Sequence, residues 1–170
     1  MKKRMFTIMI SVCTAAAICV PALAAGGISG KTAVNKALHD AGLKKSQVRL
    51  LESDYENGIY EVEFVRSSNQ AEYDYEIEKK SGKIIKKAVD YVYKNNSSRK
   101  KIGKTAARKK VAAFSGIKLS VIKKGTCTYE YDDGKGTYEV KFQIGSWRYD
   151  YEVLAPVGKI IDYEMKYVGA

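Results

Sequence analysis

The chain has 170 residues, of which 30 are lysine or arginine and 19 are aspartate or glutamate, and its net charge is +11. It holds one histidine and three cysteines. The sequence contains no zinc-ligand spacing, phosphate-binding loop or nucleophile elbow. These features exclude the enzyme classes that depend on those motifs, and they predict a non-enzymatic protein with no cofactor and no metal site.

The chain begins with the pattern of an export signal. MKKR supplies a positive start, residues 5–20 are mostly apolar, and Ala22-Leu23-Ala24 has the small-x-small pattern of a cleavage site. We expect a signal peptide over residues 1–24 and a secreted or extracytoplasmic protein that starts near Ala25. The alternative is that this segment is not cleaved and anchors the protein in the membrane. No later segment approaches the roughly 20 apolar residues of a membrane span, so an integral membrane protein is not expected.

Cleavage after Ala24 changes both the charge and the cysteine count. It removes three basic residues, which lowers the net charge from +11 to +8, and it removes Cys13 and Cys19. Neither of these cysteines follows a small residue, so a lipid anchor is not expected. Cys127 is then the only thiol, which excludes an internal disulfide. It is either a buried small apolar residue or an intermolecular link.

The next segment has helical spacing. Its apolar stripe recurs at the one-turn intervals of an amphipathic helix, through Ala33, Val34, Ala37, Leu38 and Ala41. Ser29 is a suitable N-cap and Gly42 a suitable C-terminal stop. A second, weaker helix is predicted on Ala107, Val111 and Phe114, with Gly116 as its stop.

Each helical segment precedes segments with strand periodicity. Apolar and charged residues alternate over 60–64 and 73–78, and Asn57-Gly58 supplies turn chemistry before the first of these runs. First strands are predicted near 48–55 and 126–131, and last strands over 83–93 and 159–167. The pattern predicts one helix and about four antiparallel strands, twice over. Units this small bury little core, so we expect the two to pack together or to share a sheet edge.

The two halves of the sequence repeat one another. Residues 28–43 align with 102–117 at an offset of 74, and Tyr60-Glu61-Val62 aligns with Tyr138-Glu139-Val140 at 78. Tyr73-Asp74-Tyr75-Glu76 matches Tyr149-Asp150-Tyr151-Glu152, and Gly82-Lys83-Ile84-Ile85 recurs as Gly158-Lys159-Ile160-Ile161, both at 76. Offsets that drift only in turns are typical of a duplicated domain. We predict domains at 25–93 and 102–170, with a linker at 94–101.

These motifs, in this order, resemble the PepSY domain, a family named for the propeptides of thermolysin-like peptidases and a spore germination protein. The resemblance implies an α+β fold, here two tandem copies of a helix packed on a small curved antiparallel β-sheet. It also implies a role in restraining secreted peptidases. No protease domain follows in the sequence, so such restraint would act on a separate chain. The family provides no established binding residues to transfer.

Charge is the remaining signal of function. In the hairpins, carboxylates are expected to share one sheet face, where we predict a binding surface for a secreted or envelope protein: Glu61, Glu63, Asp74, Glu76, Glu139, Asp150 and Glu152. Lys83 and Lys86, with solvent, are expected to offset the first four charges. The alternative source of counter-charge is a basic surface of a partner protein, or a calcium ion. In the second unit Lys141 already neutralises part of the face.

A basic segment offers a second candidate surface. No Asp or Glu occurs between Tyr91 and Tyr129, so an envelope-association site for anionic polymer or lipid is the alternative function. Its candidate residues are Arg99, Lys100, Lys101, Lys104, Arg108, Lys109 and Lys110. Nucleic acid is not an expected partner of an exported protein. His39 and Cys127 lie far apart in the sequence, and neither is predicted to be catalytic.

Overall fold

A computed structural model describes residues 26–93, 101–132 and 134–169 of the chain. The predicted signal peptide, its cleavage site, Arg99, Lys100 and nearly all of the predicted linker lie outside the described residues. We call residues 26–93 the first half and residues 101–169 the second half.

Both halves run from helix to four strands. In the first half the elements are α1 (Gly30–Asp40), a short 3₁₀ turn (Lys45–Gln47), β1 (Val48–Glu56), β2 (Ile59–Arg66), β3 (Glu72–Glu78) and β4 (Ile84–Asp90). In the second half they are α2 (Lys104–Ser115), α3 (Leu119–Ile122), β5 (Thr126–Asp132), β6 (Lys135–Ile144), β7 (Trp147–Leu154) and β8 (Ile160–Tyr167). The short helix α3 was not predicted from the sequence.

In the part of the chain that the structure describes, the strands form one open antiparallel sheet of eight strands, in the order β1-β2-β3-β4-β8-β7-β6-β5. Neighbouring strands within each half follow one another in sequence, and β4 pairs with β8 where the halves meet. The predicted α+β class with an antiparallel sheet is confirmed. The two halves share one sheet edge, which was one of the two arrangements expected.

Helix α1 begins and ends where its sequence predicts. The hydroxyl of Ser29 accepts a hydrogen bond from the backbone N–H of Thr32, which satisfies one of the free donors of the first turn. Ala33, Ala37 and Leu38 are buried against the sheet. Gly42 follows the helix with φ +66°, a conformation that glycine adopts without strain.

Helix α2 follows its predicted stripe with one correction. Ala107 and Val111 are fully buried, but Phe114 is 39% exposed and its neighbour Ser115 is buried instead. The ring of Phe114 covers the edge of the core, where it contacts the rings of Tyr151 and Tyr163 edge-on. The helix ends at Gly116 with φ +68°, as predicted.

The core lies between the helices and one face of the sheet. Alternate residues of β2 and β3 point into it, so that Val62, Phe64, Tyr75 and Ile77 are almost completely buried. Matching stacks of rings line the two halves: Phe64 with Tyr73 and Tyr75, and Phe142 with Tyr149 and Tyr151. The other face of the sheet carries the alternate, mostly charged residues.

Candidate functional site

The face of the sheet opposite the helices is the candidate site, and we call it the acidic face. Its residues come from the polar positions of each strand. On β2, for example, Glu61 and Glu63 are exposed on either side of the buried Val62. The same period of two that builds the core therefore places the carboxylates together on the opposite side.

Strand register brings the predicted carboxylates of the first half directly opposite one another. Glu61 pairs with Glu76, and Glu63 pairs with Asp74. Burial raises the pKa of Glu63, and the nearby charges of Asp74, Glu52 and Glu61 raise it further. Opposed like charges destabilise a strand pair by up to about 1 kcal/mol, so counter-charges must offset them.

Lysines at the centre of the sheet supply these counter-charges. The Nζ of Lys86 lies 2.5 Å from Asp74 Oδ2 and 3.3 Å from Glu76 Oε1. Burial acts to lower the pKa of Lys86, but the hydrogen bond and the charge of Asp74 and the charge of Glu76 outweigh it, and the pKa is raised. Lys166 of the second half adds another contact, 3.1 Å from Glu76. Lys86 thus fulfils its predicted role.

Lys83 does not fulfil its predicted role. It precedes β4, and its Nζ lies 3.4 Å from the centre of the Tyr167 ring and 5.8 Å from that of Trp147. It therefore joins the two halves by cation–π contacts, which attract a cation to the electron-rich face of an aromatic ring. The prediction was wrong because the aromatic partners come from the far end of the sequence.

The second half repeats the arrangement with an internal lysine. Glu139 is opposite Glu152, and Lys141 is opposite Asp150. Lys141 contacts Glu139 and lies 3.1 Å from Asp150. Burial nevertheless raises the pKa of Asp150 to about 6, because it outweighs the hydrogen bond and charge of Lys141.

Several acidic residues of this face were missed by the sequence analysis. Three of them, Glu72, Asp90 and Asp162, join the predicted Glu152 and Glu139 in a row of carboxylates in consecutive register across β3, β4, β8, β7 and β6. We call it the carboxylate row. The alternation along β4 and β8 could have placed Asp90 and Asp162 on the acidic face. Their meeting depends on the pairing of β4 with β8, which local sequence does not encode.

The acidic face is concave near this row. An open depression of about 120 Å³ is lined entirely by carboxylates, those of Glu139, Asp150, Glu152, Asp162 and Glu164. Burial raises the pKa of Asp162 to about 8, and the charges of Glu152, Asp90 and Asp150 add to the increase. A surface of this kind attracts basic side chains, which would relieve the repulsion between its carboxylates.

The predicted basic residues that the structure describes lie on α2 and, for Lys101, just before it, over the opposite face of the sheet. Lys104, Lys109 and Lys110 are exposed. Arg108 is partly buried, and its guanidinium donates a hydrogen bond to the carbonyl of Gly125, 3.0 Å away. Lys101 lies 3.6 Å from the centre of the Tyr129 ring. The predicted carboxylates and the described members of the predicted basic set therefore occupy opposite faces of the sheet.

The structure does not bring His39 and Cys127 together. His39 is exposed on α1, which packs on β1 and β2. Cys127 is buried on β5, at the other end of the sheet, and its thiol lies 3.8 Å from the carbonyl of Lys104. Burial raises the pKa of the thiol, which disfavours the reactive thiolate.

Within residues 26–93, 101–132 and 134–169, no group of three or more His, Cys, Asp or Glu residues is placed to hold a metal ion. In the same ranges no helix is long and apolar enough to cross a membrane.

Comparison with known proteins supports the resemblance for the first half. Residues 27–88 match the PepSY family model, described as the peptidase propeptide and YPEB domain. No protein of curated function matches the chain significantly. Domains of this family are generally non-catalytic propeptide or regulatory modules, and the match at residues 27–88 suggests a module of one of these two kinds.

Solved structures give only a distant likeness. A candidate lipoprotein from Clostridium difficile 630 is 12% identical, with 84% of this chain and 96% of that chain covered and a TM-score of 0.31. The Bacillus megaterium YpeB C-terminal domain is 18% identical, with 85% and 68% covered and a TM-score of 0.30. A candidate periplasmic protein from Bacteroides eggerthii DSM 20697 is 12% identical, with 77% and 85% covered and a TM-score of 0.28.

Proposed function

We propose that the chain is an exported tandem PepSY protein, released by cleavage after Ala24, with domains at 25–93 and 102–170 and a linker at 94–101. The sequence alignment of the halves supports a second, diverged unit. Two structural observations support it further: both halves run from helix to four strands, and their cores stack equivalent rings.

We propose further that this protein is a non-enzymatic module that binds and restrains a secreted or envelope peptidase through its acidic face. The family of the first half suggests the kind of partner. The choice of surface rests on the accumulation of carboxylates on the side of the sheet that no helix of the described residues covers. A basic patch on the peptidase would neutralise these charges and gain specificity from their placement.

The proposal is tested by affinity capture from the exported proteins of the source organism. The wild-type chain serves as bait at low and high salt, and bound proteins are assayed for peptidase activity with and without added bait. We expect a peptidase to be retained and its activity lowered. Retention should weaken with salt, because exposed charges are screened over about 10 Å at 0.1 M ionic strength.

Matched bait variants locate the surface. Glu61→Gln/Glu63→Gln removes two opposed charges from the acidic face on β2, where each faces a carboxylate of β3, and we expect capture to fall at least several-fold. The control, Glu56→Gln/Glu130→Gln, makes the same change in net charge at exposed positions of the two outermost strands. Equal loss in both variants would show that only net charge matters. Capture of no peptidase by the wild-type bait would refute the proposed partner.

A second candidate function rests on the exposed lysines of α2. Lys104, Lys109 and Lys110 give the side opposite the acidic face a basic surface, which suits an anionic envelope polymer or lipid. Retention on anionic vesicles that salt abolishes, and that Lys109→Glu/Lys110→Glu eliminates, is expected if this surface binds. Binding that is insensitive to both changes would exclude it.

A further inference from the structure

The two halves meet along one pair of strands, which we call the seam. In the seam β4 pairs with β8 over five register positions, the only strand pairing that joins the halves within the described residues. Like charges lie opposite each other at both ends of the acidic side: Lys86 is opposite Lys166, and Asp90 is opposite Asp162. Ala88 and Glu164 lie between them. Each opposed pair is destabilising unless something separates or neutralises its charges.

The lysine end of the seam has its counter-charge. Glu76 Oε1 lies 3.3 Å from the Nζ of Lys86 and 3.1 Å from that of Lys166, so that one carboxylate bridges both ammonium groups. Asp74 adds a second contact to Lys86. Repulsion between the two lysines is therefore offset within the protein itself.

The aspartate end of the seam has no such bridge. In the part of the chain that the structure describes, no ion pair joins Asp90 or Asp162 to a cation. Lys135 on β6, whose charge acts on both aspartates, is paired with Glu152, 3.3 Å away. The charged groups around Asp162 are therefore Asp90 on β4, Glu72 beyond it on β3, Asp150 and Glu152 on β7, Glu164 on its own strand, and Lys135. The helices pack on the opposite side of the sheet.

We propose that the seam is a pH-sensitive joint, in which Asp90 and Asp162 hold a proton between them while the halves are joined and release it as the pH rises. Two carboxylates on facing strands, without a bridging cation, are more stable when one is neutral. Ionisation of both restores the repulsion and loosens the pairing of β4 with β8.

The direction of the pKa shifts supports this arrangement. Burial raises the pKa of Asp90, and Glu72 adds to the increase. Burial and the neighbouring acids raise the pKa of Asp162 to about 8. In an unfolded chain an aspartate releases its proton near pH 4 (about 3.9). Between about pH 4 and about pH 8 the folded protein holds the extra proton, so rising pH lowers its stability across this window.

The alignment of the halves explains how like charges came to face each other. At the offset of 76, Lys86 is equivalent to Asp162 and Asp90 to Lys166, so the two halves carry opposite charges at equivalent positions. A double exchange, Asp162→Lys/Lys166→Asp, would place an acid opposite Lys86 and a base opposite Asp90. This variant keeps the composition and the net charge of the chain and changes only the pairing.

The test is thermal and denaturant unfolding of the full chain between pH 5 and pH 9. We expect the wild-type midpoint to fall by several degrees as pH rises from 5 to 8, and Asp162→Asn to flatten this dependence while the protein remains folded. The exchanged variant should flatten it too. Asp54→Asn, on the exposed edge of the same face, is the control and should keep the wild-type slope.

A local measurement separates the seam from global stability. Hydrogen exchange, corrected for its intrinsic pH dependence, should show protection of the amides of β4 and β8 falling with pH more steeply than that of β2 and β3. An equal fall in all four strands, or a slope in Asp162→Asn equal to that of wild type, would overturn the proposal. An Asp162 carboxyl that titrates near pH 4 by NMR would do the same.

Discussion

At the scale of single residues, the two halves fill the same position beneath the helix end differently, with an ion pair in the first half and an aromatic contact in the second. Under the end of α1, the buried ammonium of Lys87 contacts Asp40, which also accepts a hydrogen bond from the hydroxyl of Tyr75 over 3.1 Å. At the equivalent place under α2, Phe114 packs on Tyr151 and Tyr163. The tyrosines were predicted in the core from their alternation. Burial of Lys87 was not predictable, because its partner lies on a helix 47 positions earlier in the sequence.

Loss of Asp40 should therefore be severe. Asp40→Ala leaves the ammonium of Lys87 buried without a counter-charge, and we expect the free energy of unfolding to fall by about 3 kcal/mol. The variant Asp40→Phe/Lys87→Tyr copies the second half and should recover most of that loss. Urea unfolding of the two variants beside wild type measures both effects. A loss below about 0.5 kcal/mol for Asp40→Ala, the size of an ordinary surface substitution, would show that the pair has no structural role.

At the scale of elements, the sequence identified both main helices and all eight strands, because capping residues, stop glycines and the period of two are local signals. Phe114 and α3 were the exceptions, and in both cases tertiary contacts decide the outcome. The structure explains the glycine of the repeated Gly-Lys-Ile-Ile motif. Gly82 and Gly158 adopt φ of +66° and +69° in the turns before β4 and β8, and each lies against the segment that leads into its own helix.

A side chain at Gly158 should disturb both the turn and the helix entry. A Cβ there would lie 2.9 Å from Cδ1 of Ile102, in addition to the strain of a positive φ. We expect Gly158→Ala to lower the free energy of unfolding by about 2 kcal/mol, since positive-φ strain alone costs at least about 1 kcal/mol.

Gly145→Ala is the matched control for this contact. Gly145 also has a positive φ, +56°, but a Cβ at that position would meet nothing within 4 Å. In denaturant unfolding, Gly145→Ala should lower the free energy of unfolding only by the strain of a positive φ, without the cost of a contact. Equal losses in the two variants would show that the contact with Ile102 is unimportant.

At the scale of the whole molecule, the halves share a sheet and a continuous core, so we expect them to unfold together. The sequence predicted contact between the halves but not its register. Strand pairing between segments 76 positions apart depends on the closure of a long loop and not on any local pattern. The single tryptophan, Trp147, lies in the second half, with Lys83 of the first half beside it.

This cooperativity can be tested by a mutation in one half and a fluorescence probe in the other. Phe64→Ala empties part of the core of the first half and should lower the free energy of unfolding by about 3–5 kcal/mol. The midpoint seen by Trp147 fluorescence, in the other half, should move by the same amount as the midpoint seen by far-UV circular dichroism. Two separate transitions, with the fluorescence midpoint unchanged, would mean that the halves fold independently.

Counted from either end of the sheet, equivalent strands of the two halves occur in the same order. The register of the seam is symmetric about the pair Ala88 and Glu164, which are themselves equivalent positions of the two halves. A single half that met its own copy along this edge would form an isologous dimer around a two-fold axis. In such a dimer Lys86 would face Asp90 of the copy, twice. At the seam the chain thus has the strand register of a homodimer but lacks the complementary charges that such a dimer would have.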